Sequence, residues 1–349
     1  MTLRVACIGE AMIELSMQGD TAKVGVAGDT LNTAIYLKRC ATETEHRFKN
    51  LAHTAEMSRP VSTAGQRPSA SRQTEGLPAA KRGRTQPSAQ GTNVGGEPPG
   101  ALQVDYVTCL GDDPFSGQIR DFIAAQGIGT GAIRTIPGKS PGLYAITTTE
   151  DGERSFTYWR SAAAARDLFQ VGCGFDFSVL EPYDVLYLSG ISMAILSQPV
   201  RLALIDWLKD APQTLVYDSN YRPRLWEDQA TAQDITRALW ARADIALPSV
   251  DDEMALFNET EAQVVARVQA YAGIGALKRG AAGPLSLGEP VDQTYPPAAT
   301  VVDTTAAGDS FNGGYLAALL TGQSQAEALM AGHACAARVV QHRGAIIPE

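Results

Sequence analysis

Residues 301–315, Val301-Val302-Asp303-Thr304-Thr305-Ala306-Ala307-Gly308-Asp309-Ser310-Phe311-Asn312-Gly313-Gly314-Tyr315, hold the pattern best suited to chemistry in this chain. It reads as the end of a strand, a turn on small residues, and the start of a helix that carries a carboxylate. The first amides of a helix have no intrahelical partner and lie at the positive end of its dipole, so a phosphate is welcome there. Ala306, Ala307 and Gly308 keep bulky side chains out of its way. Asp309 is placed to take a proton from an attacking hydroxyl while those amides stabilise charge on the group being transferred. An aspartate at a helix start can also be a plain cap, but the preceding Asp-Thr-Thr and the small-residue pair tip the reading toward catalysis.

Other stretches carry residue types that such a transfer would draw on. Gly28-Asp29-Thr30-Leu31-Asn32 opens a helix: Asp29 and Asn32 suit the hydroxyls of a polyol and Gly28 allows close approach, although capping alone also explains Asp29. Asp218-Ser219-Asn220-Tyr221-Arg222 follows an apolar strand, so Asp218, Asn220 and Arg222 fall at the carboxyl edge of a sheet, where ligands bind. Arg222 can grip a carboxylate through paired hydrogen bonds, a surface ion pair being the plain alternative. Leu247-Pro248-Ser249-Val250-Asp251-Asp252-Glu253 starts a helix with carboxylates that could order water around a nucleotide-bound Mg2+, or simply favour the positive helix end. Lys278-Arg279-Gly280-Ala281-Ala282-Gly283 suits a close-approach loop near a nucleotide. Neither a G-x-x-x-x-G-K-[ST] phosphate loop nor a G-x-G-x-x-G fingerprint occurs, which disfavours the common nucleotide folds and dehydrogenases.

Holding these groups together requires a scaffold, and the chain carries its signature. Apolar runs of strand length alternate with segments of helical period, the mark of a mostly parallel α/β sheet with helices on both faces. Strands are expected at 4–9, 104–110, 184–189, 214–218, 245–247 and 272–278, and helices at 31–39, 116–126, 198–211, 232–242, 310–320 and 326–341. The β-branched and aromatic runs 142–149 and 154–160 flank Asp151-Gly152 and read as a hairpin. Together with residues 11–27 the 142–160 segment is expected to form a small β-sheet lid that brings Tyr158-Trp159-Arg160 to the site, a surface hairpin without such a role being the plain alternative. Residues 42–100 are rich in Ser, Thr, Gln, Gly, Pro and Arg and show neither period, so they are expected to be a disordered insertion within one 1–349 domain.

Composition excludes several functions. A net charge of −9 argues against a nucleic-acid groove and against an anionic membrane surface. No apolar run approaches the roughly 18 residues of a membrane span. Glu10 and Glu14 interrupt the only apolar stretch near the amino terminus, so a cytoplasmic protein without a signal peptide is expected. The five cysteines and four histidines lack metal-ligand spacing; no protein-built metal site is expected, and the cysteines read as reduced, mostly buried thiols.

Ile8-Gly9-Glu10 with Met12-Ile13-Glu14-Leu15, residues 28–33, Tyr187-Leu188-Ser189-Gly190-Ile191, residues 220–226, residues 303–311 and Gly344-Ala345-Ile346-Ile347-Pro348 stand in an order that resembles the ribokinase-like (phosphofructokinase B) sugar kinases. The likeness covers nearly the whole chain outside 42–100 and is greatest to the branch acting on 2-keto-3-deoxygluconate. It implies a ribokinase-like fold and phosphorylation of that sugar acid at its terminal hydroxyl, with ATP and Mg2+, to give 2-keto-3-deoxy-6-phosphogluconate. Asp309 would be the catalytic base, and the amides of Ala306, Ala307 and Gly308 the anion hole. Gly28, Tyr144, Tyr158, Arg160 and Arg222 would hold the sugar acid. Ser249, Lys278, Gly280 and Gly283 would lie toward ATP, and Asp252 near the waters of a metal carried on its phosphates. Two arginines suit a substrate carboxylate that a neutral sugar lacks. Ala27 and Ala306 stand where the family usually has glycine, Ser249 and Asp252 replace its Asn-x-x-Glu pattern, and the insertion is foreign to it. Open alternatives are 2-keto-3-deoxygalactonate or fructose as acceptor, a catalytically impaired sugar-binding protein, and assembly as a homo-oligomer.

Overall fold

The computed structural model describes residues 2–57, 101–148, 154–271 and 273–348. In chain order the strands and helices are β1 (Leu3–Ile8), β2 (Met12–Gln18), β3 (Thr21–Ala27), α1 (Asp29–Met57), β4 (Leu102–Leu110), α2 (Pro114–Ala125), β5 (Ile133–Thr135), β6 (Gly142–Thr148), β7 (Arg154–Trp159), β8 (Gln170–Val171) and β9 (Gly174–Phe175). There follow β10 (Val185–Ser189), α3 (Gly190–Ile195), α4 (Gln198–Asp210), β11 (Thr214–Asp218), α5 (Gln229–Arg242), β12 (Ile245–Ala246), α6 (Val250–Phe257), α7 (Glu261–Gln269), β13 (Ile274–Leu277), β14 (Leu285–Leu287), α8 (Ala307–Leu320) and α9 (Gln325–Val339).

An eight-stranded sheet runs in the order β14-β13-β12-β11-β10-β1-β4-β5. Its neighbours pair in parallel except β13 with β14. Alternation along each strand divides the core in two, as a sheet covered on both faces requires. Val5, Cys7, Tyr187 and Val216 face a core shared with α1, α2, α8 and α9. Ala6, Ile8, Leu186, Leu188 and Leu215 face a second core shared with α3, α4 and α5. Residues 310–318 of α8 are all buried. The glycines Gly313 and Gly314 let it nest closely: a Cβ on Gly313 would lie 2.5 Å from Cβ of Tyr36 on α1, and one on Gly314 would lie 2.8 Å from the Ala331 carbonyl on α9.

The lid is a four-stranded sheet, β3-β2-β6-β7, with Tyr144 directly opposite Tyr158. The expected Asp151-Gly152 turn lies outside the described residues.

Two expectations are corrected. Helix α1 continues to Met57, so residues 42–57 are helical rather than part of a disordered insertion; the rest of 42–100, from residue 58 on, lies outside the described residues. The averaged composition of 42–100 hid a stretch, 42–57, with no glycine or proline and with good helix formers. The second concerns Val301 and Val302, which end no strand and are 65% and 51% exposed. The Val302 and Asp303 amides instead donate to the Val340 carbonyl at the end of α9 (2.7 and 3.1 Å), so helix packing rather than a sheet edge anchors this turn. Among the described residues, no helix is long and apolar enough to cross a membrane.

Candidate active site

The turn before α8 is tied down from both sides. The buried Asp303 accepts from the Thr305 amide (3.0 Å) and hydroxyl (2.7 Å) through one oxygen and from the Gly344 amide (2.8 Å) through the other. Ala306 then takes a left-handed conformation, φ 59°, which costs an L-residue about 1–2 kcal/mol and explains why glycine is the easier residue there. The Ala307 amide closes the turn on the Thr304 carbonyl (3.1 Å), and Ser310 is the first to bond within the helix, to Ala306 (2.8 Å). Of the expected amides of Ala306, Ala307 and Gly308, the turn takes up that of Ala307, while the Gly308 amide and the Asp309 amide beside it have no partner within the helix. Lys278, just past β13, reaches the same turn: its Nζ lies 3.7 Å from where a Cβ on Gly308 would stand.

Around Asp309 the carboxyl ends of β10, β11 and β13 meet the first turns of α1 and α8. Asn32 Nδ2 donates to Asp309 Oδ2 (2.9 Å), while the buried Asn32 Oδ1 has no protein partner and is available to a ligand hydroxyl. Asp29 accepts from the Ser189 hydroxyl and from Asn220 Nδ2. Asp218 Oδ2 accepts from Lys278 Nζ (2.7 Å) and Asn312 Nδ2 (2.6 Å), and Lys278 also donates to Asn312 Oδ1 (3.1 Å). Asn312 further donates to the Tyr187 hydroxyl (3.0 Å). Burial, then the neighbouring Asp29 and Asp218 carboxylates, push Asp309 up to about 8 against the opposing pull of Asn32 and Lys278. Burial likewise raises Asp29, against its bond from Ser189. A carboxyl with a pKa near working pH can hold a proton and release it, which a general base needs.

On the lid side, Arg160 forms an ion pair with Glu10, whose side chain is 1% exposed. The Tyr144 hydroxyl donates to Glu14, with the half-exposed Tyr158 ring 5.6 Å away. Gly28 has a backbone role: a Cβ there would sit 2.3 Å from the Glu10 carbonyl, so the close approach is to the chain that carries Glu10. Gly28→Ala is expected to destabilise the protein by about 2–3 kcal/mol through this clash. Denaturant midpoints measure it, and an unchanged midpoint would show that the strand simply gives way.

Arg222 donates to its neighbour Tyr221's carbonyl (2.8 Å) and to Asp252 Oδ1 (3.0 Å), with its side chain half exposed. Ser249 pairs through its backbone with Lys278 as a parallel bridge and so aligns the start of α6 with the lysine. Gly280, at φ 53°, has open space where a side chain would go. A Cβ on Gly283 would lie 2.7 Å from the Tyr295 ring, so its small size is accounted for by packing. The carboxylates of 251–253 do not converge as a cluster: Asp252 goes to Arg222, and the buried Glu253 pairs with Arg267 (2.9 Å). No group of three or more potential metal ligands exists among the described residues.

Sequence reading thus placed Asp309, Asn32, Asp29 and Lys278 in one cleft but missed the supporting partners Asn312, Tyr187, Ser189 and Glu10. Asn312 was accessible to it, since it stands one helical turn after Asp309 and shares its face. Glu10, Tyr187 and Ser189 stood within the motifs that carry the family resemblance, but nothing local to the chain assigned them a partner.

Comparison with known proteins shows the family and the fold. The chain is 36% identical over 363 aligned residues, covering all of it and 98% of the relative, to the 2-dehydro-3-deoxygluconokinase of Escherichia coli K12. A PfkB protein from Polaromonas sp. JS666 shares the fold with TM-score 0.69 at 23% identity, over 97% of this chain and 96% of that one. So does the aminoimidazole riboside kinase of Salmonella enterica, solved with aminoimidazole riboside and an ATP analog, with TM-score 0.67 at 20% identity, over 98% and 94%. The family model described as pfkB family carbohydrate kinase matches residues 93–349, and with the Gly308-Asp309 turn at the carboxyl edge of the sheet it follows that this chain belongs to the pfkB family of carbohydrate kinases.

Proposed function

We propose that this protein transfers the γ-phosphoryl group of ATP to the terminal hydroxyl of 2-keto-3-deoxygluconate. The carrying observation is the side-by-side placement of a proton acceptor near pH 8, Asp309, the unpaired amides of Gly308 and Asp309, and the Lys278 ammonium. The full-length likeness to a 2-dehydro-3-deoxygluconokinase supports the choice of acceptor.

In the reaction the acceptor hydroxyl oxygen attacks the γ-phosphorus, the bond from phosphorus to the bridging oxygen breaks to release ADP, and the hydroxyl proton passes to Asp309. The Gly308 and Asp309 amides and Lys278 face the oxygens on which charge builds. Asn32 holds the Asp309 carboxyl through Nδ2, and its free Oδ1 suits a second hydroxyl of the sugar acid. The acidic side chains near the nucleotide side already hold Lys278 and Arg222, so a magnesium ion would come in on the ATP phosphates, and Asp252 is the residue that would hold its waters.

Arg222 is the half-exposed cation of the cleft, and Arg160 is sheltered with Glu10. Arg222→Met is therefore expected to raise KM for sugar acids at least tenfold while leaving KM for neutral ketoses within about threefold, since a charge-assisted contact contributes roughly 1.5–3 kcal/mol. Coupled ADP-release assays over 2-keto-3-deoxygluconate, 2-keto-3-deoxygalactonate, fructose and ribose measure this. Equal effects on acids and neutral sugars would remove Arg222 from carboxylate recognition, and turnover with fructose alone would replace the proposed acceptor. Absence of turnover with every compound in folded protein would leave a sugar-binding protein.

A further inference from the structure

Away from the catalytic cleft, Cys40 on α1 and Cys335 on α9 bring their sulfurs to 3.9 Å. They are 295 residues apart in sequence, so only the packing of the two helices against α8 makes them neighbours. Their surroundings differ from those of the other thiols. Cys7 and Cys109 are enclosed in the cores on the two sheet faces, and Cys173 stands alone at the surface. The Cys40–Cys335 pair instead borders a cavity of about 640 Å3 lined by Cys40, Glu43, Thr44, Gly314, Cys335 and Arg338 among others. A small reagent can therefore reach a pair that is largely shielded from bulk solvent.

The geometry points to a redox-active dithiol: Cys40 and Cys335 close to a disulfide on reaction with a small-molecule disulfide such as oxidised glutathione, fastening α1 to α9 across the back of α8. Cys335 is the attacking sulfur. The Cys40 S–H donates to it, and Arg338, one turn along α9, lies close, and together they lower its pKa while that of Cys40 is raised. The Cys335 thiolate attacks one sulfur of the reagent, forming a mixed disulfide and expelling one glutathione thiolate. Cys40 then loses its proton and attacks the Cys335 sulfur, and the second glutathione leaves as thiol. Two protein thiols and one glutathione disulfide become one protein disulfide and two glutathione thiols. A disulfide needs sulfurs at about 2.05 Å, so rotation of a cysteine side chain is the motion involved.

The test is incubation of the full-length protein with oxidised glutathione, alkylation of remaining thiols, digestion and mass spectrometry. A Cys40–Cys335 linked peptide, lighter by two hydrogens and lost on dithiothreitol treatment, is expected. A rise in Tm of about 5 °C that disappears in Cys40→Ser is expected with it, because the bond closes a very long loop. In Cys40→Ser the first step has no resolving partner, so glutathione should accumulate on Cys335. Adducts confined to Cys173, with Cys40 and Cys335 both recovered as free alkylated thiols, would overturn the proposal. So would a Cys40→Ser protein in which Cys335 stays unmodified while Cys173 reacts.

Discussion

Asp309→Asn is expected to lower kcat by at least 100-fold while changing KM for the acceptor by less than about threefold. Loss of a positioned base typically costs about 10² to 10⁴ in rate, and the amide keeps the shape and one acceptor oxygen of the carboxylate. The wild-type pH profile gives a second reading. With Asp309 held at about 8 by burial and by the Asp29 and Asp218 charges, kcat/KM should climb about tenfold per pH unit below 8 and flatten above it. The same shift has a sign for stability. A carboxyl whose folded pKa lies above its unfolded value of about 3.9 contributes stability fully present below that lower value, and loses it as pH rises through the folded pKa. Asp309→Asn should therefore raise Tm relative to wild type near pH 8, and the gain should vanish near pH 4. Near-normal turnover in this variant, or a profile flat from pH 6 to 9, would reject Asp309 as the base.

Lys278→Met is expected to lower kcat about 100-fold, on the scale of removing one charge-stabilising donor from a transition state. Its ammonium has two engagements: the turn at Gly308 and the buried Asp218–Asn312 pair. Removing it leaves Asp218, 2% exposed, without its cation, and breaking a buried pair from one side costs about 3–5 kcal/mol. The Asn312 side chain and the Asn220 amide still donate to Asp218, which places the loss at the low end of that range. The double variant Lys278→Met with Asp218→Asn separates the two roles. It removes the stranded charge, so denaturant midpoints should recover most of the lost stability while kcat stays low. If kcat recovers with stability, Lys278 acts only by shaping the site and not by stabilising the transferred group.

The turn at Asp309 was legible because its parts are adjacent: small residues, a helix start and a carboxylate follow one another in eight positions of the chain. The lid was legible for the same reason, since alternation on both sides of Asp151-Gly152 specifies a hairpin locally. The continuation of α1 to Met57 was not, because averaging over 42–100 mixed a helix-forming stretch with a Pro- and Gly-rich one. Nor was the anchoring of Val302 and Asp303, whose amides bond to the far end of α9.

By itself the sequence determined the two-sided, mostly parallel sheet, its central strands, and a carboxylate at the start of α8, because hydrophobic period and helix-start chemistry act over a few residues. Tertiary structure alone decided who holds whom. Lys278 meets Asp218 across 60 residues, Asn312 meets the same carboxylate across 94, and Arg160 finds Glu10 across 150. Those partnerships depend on which strands lie side by side and on how closely α8 nests between its neighbours, and a charge read along the chain carries no record of either.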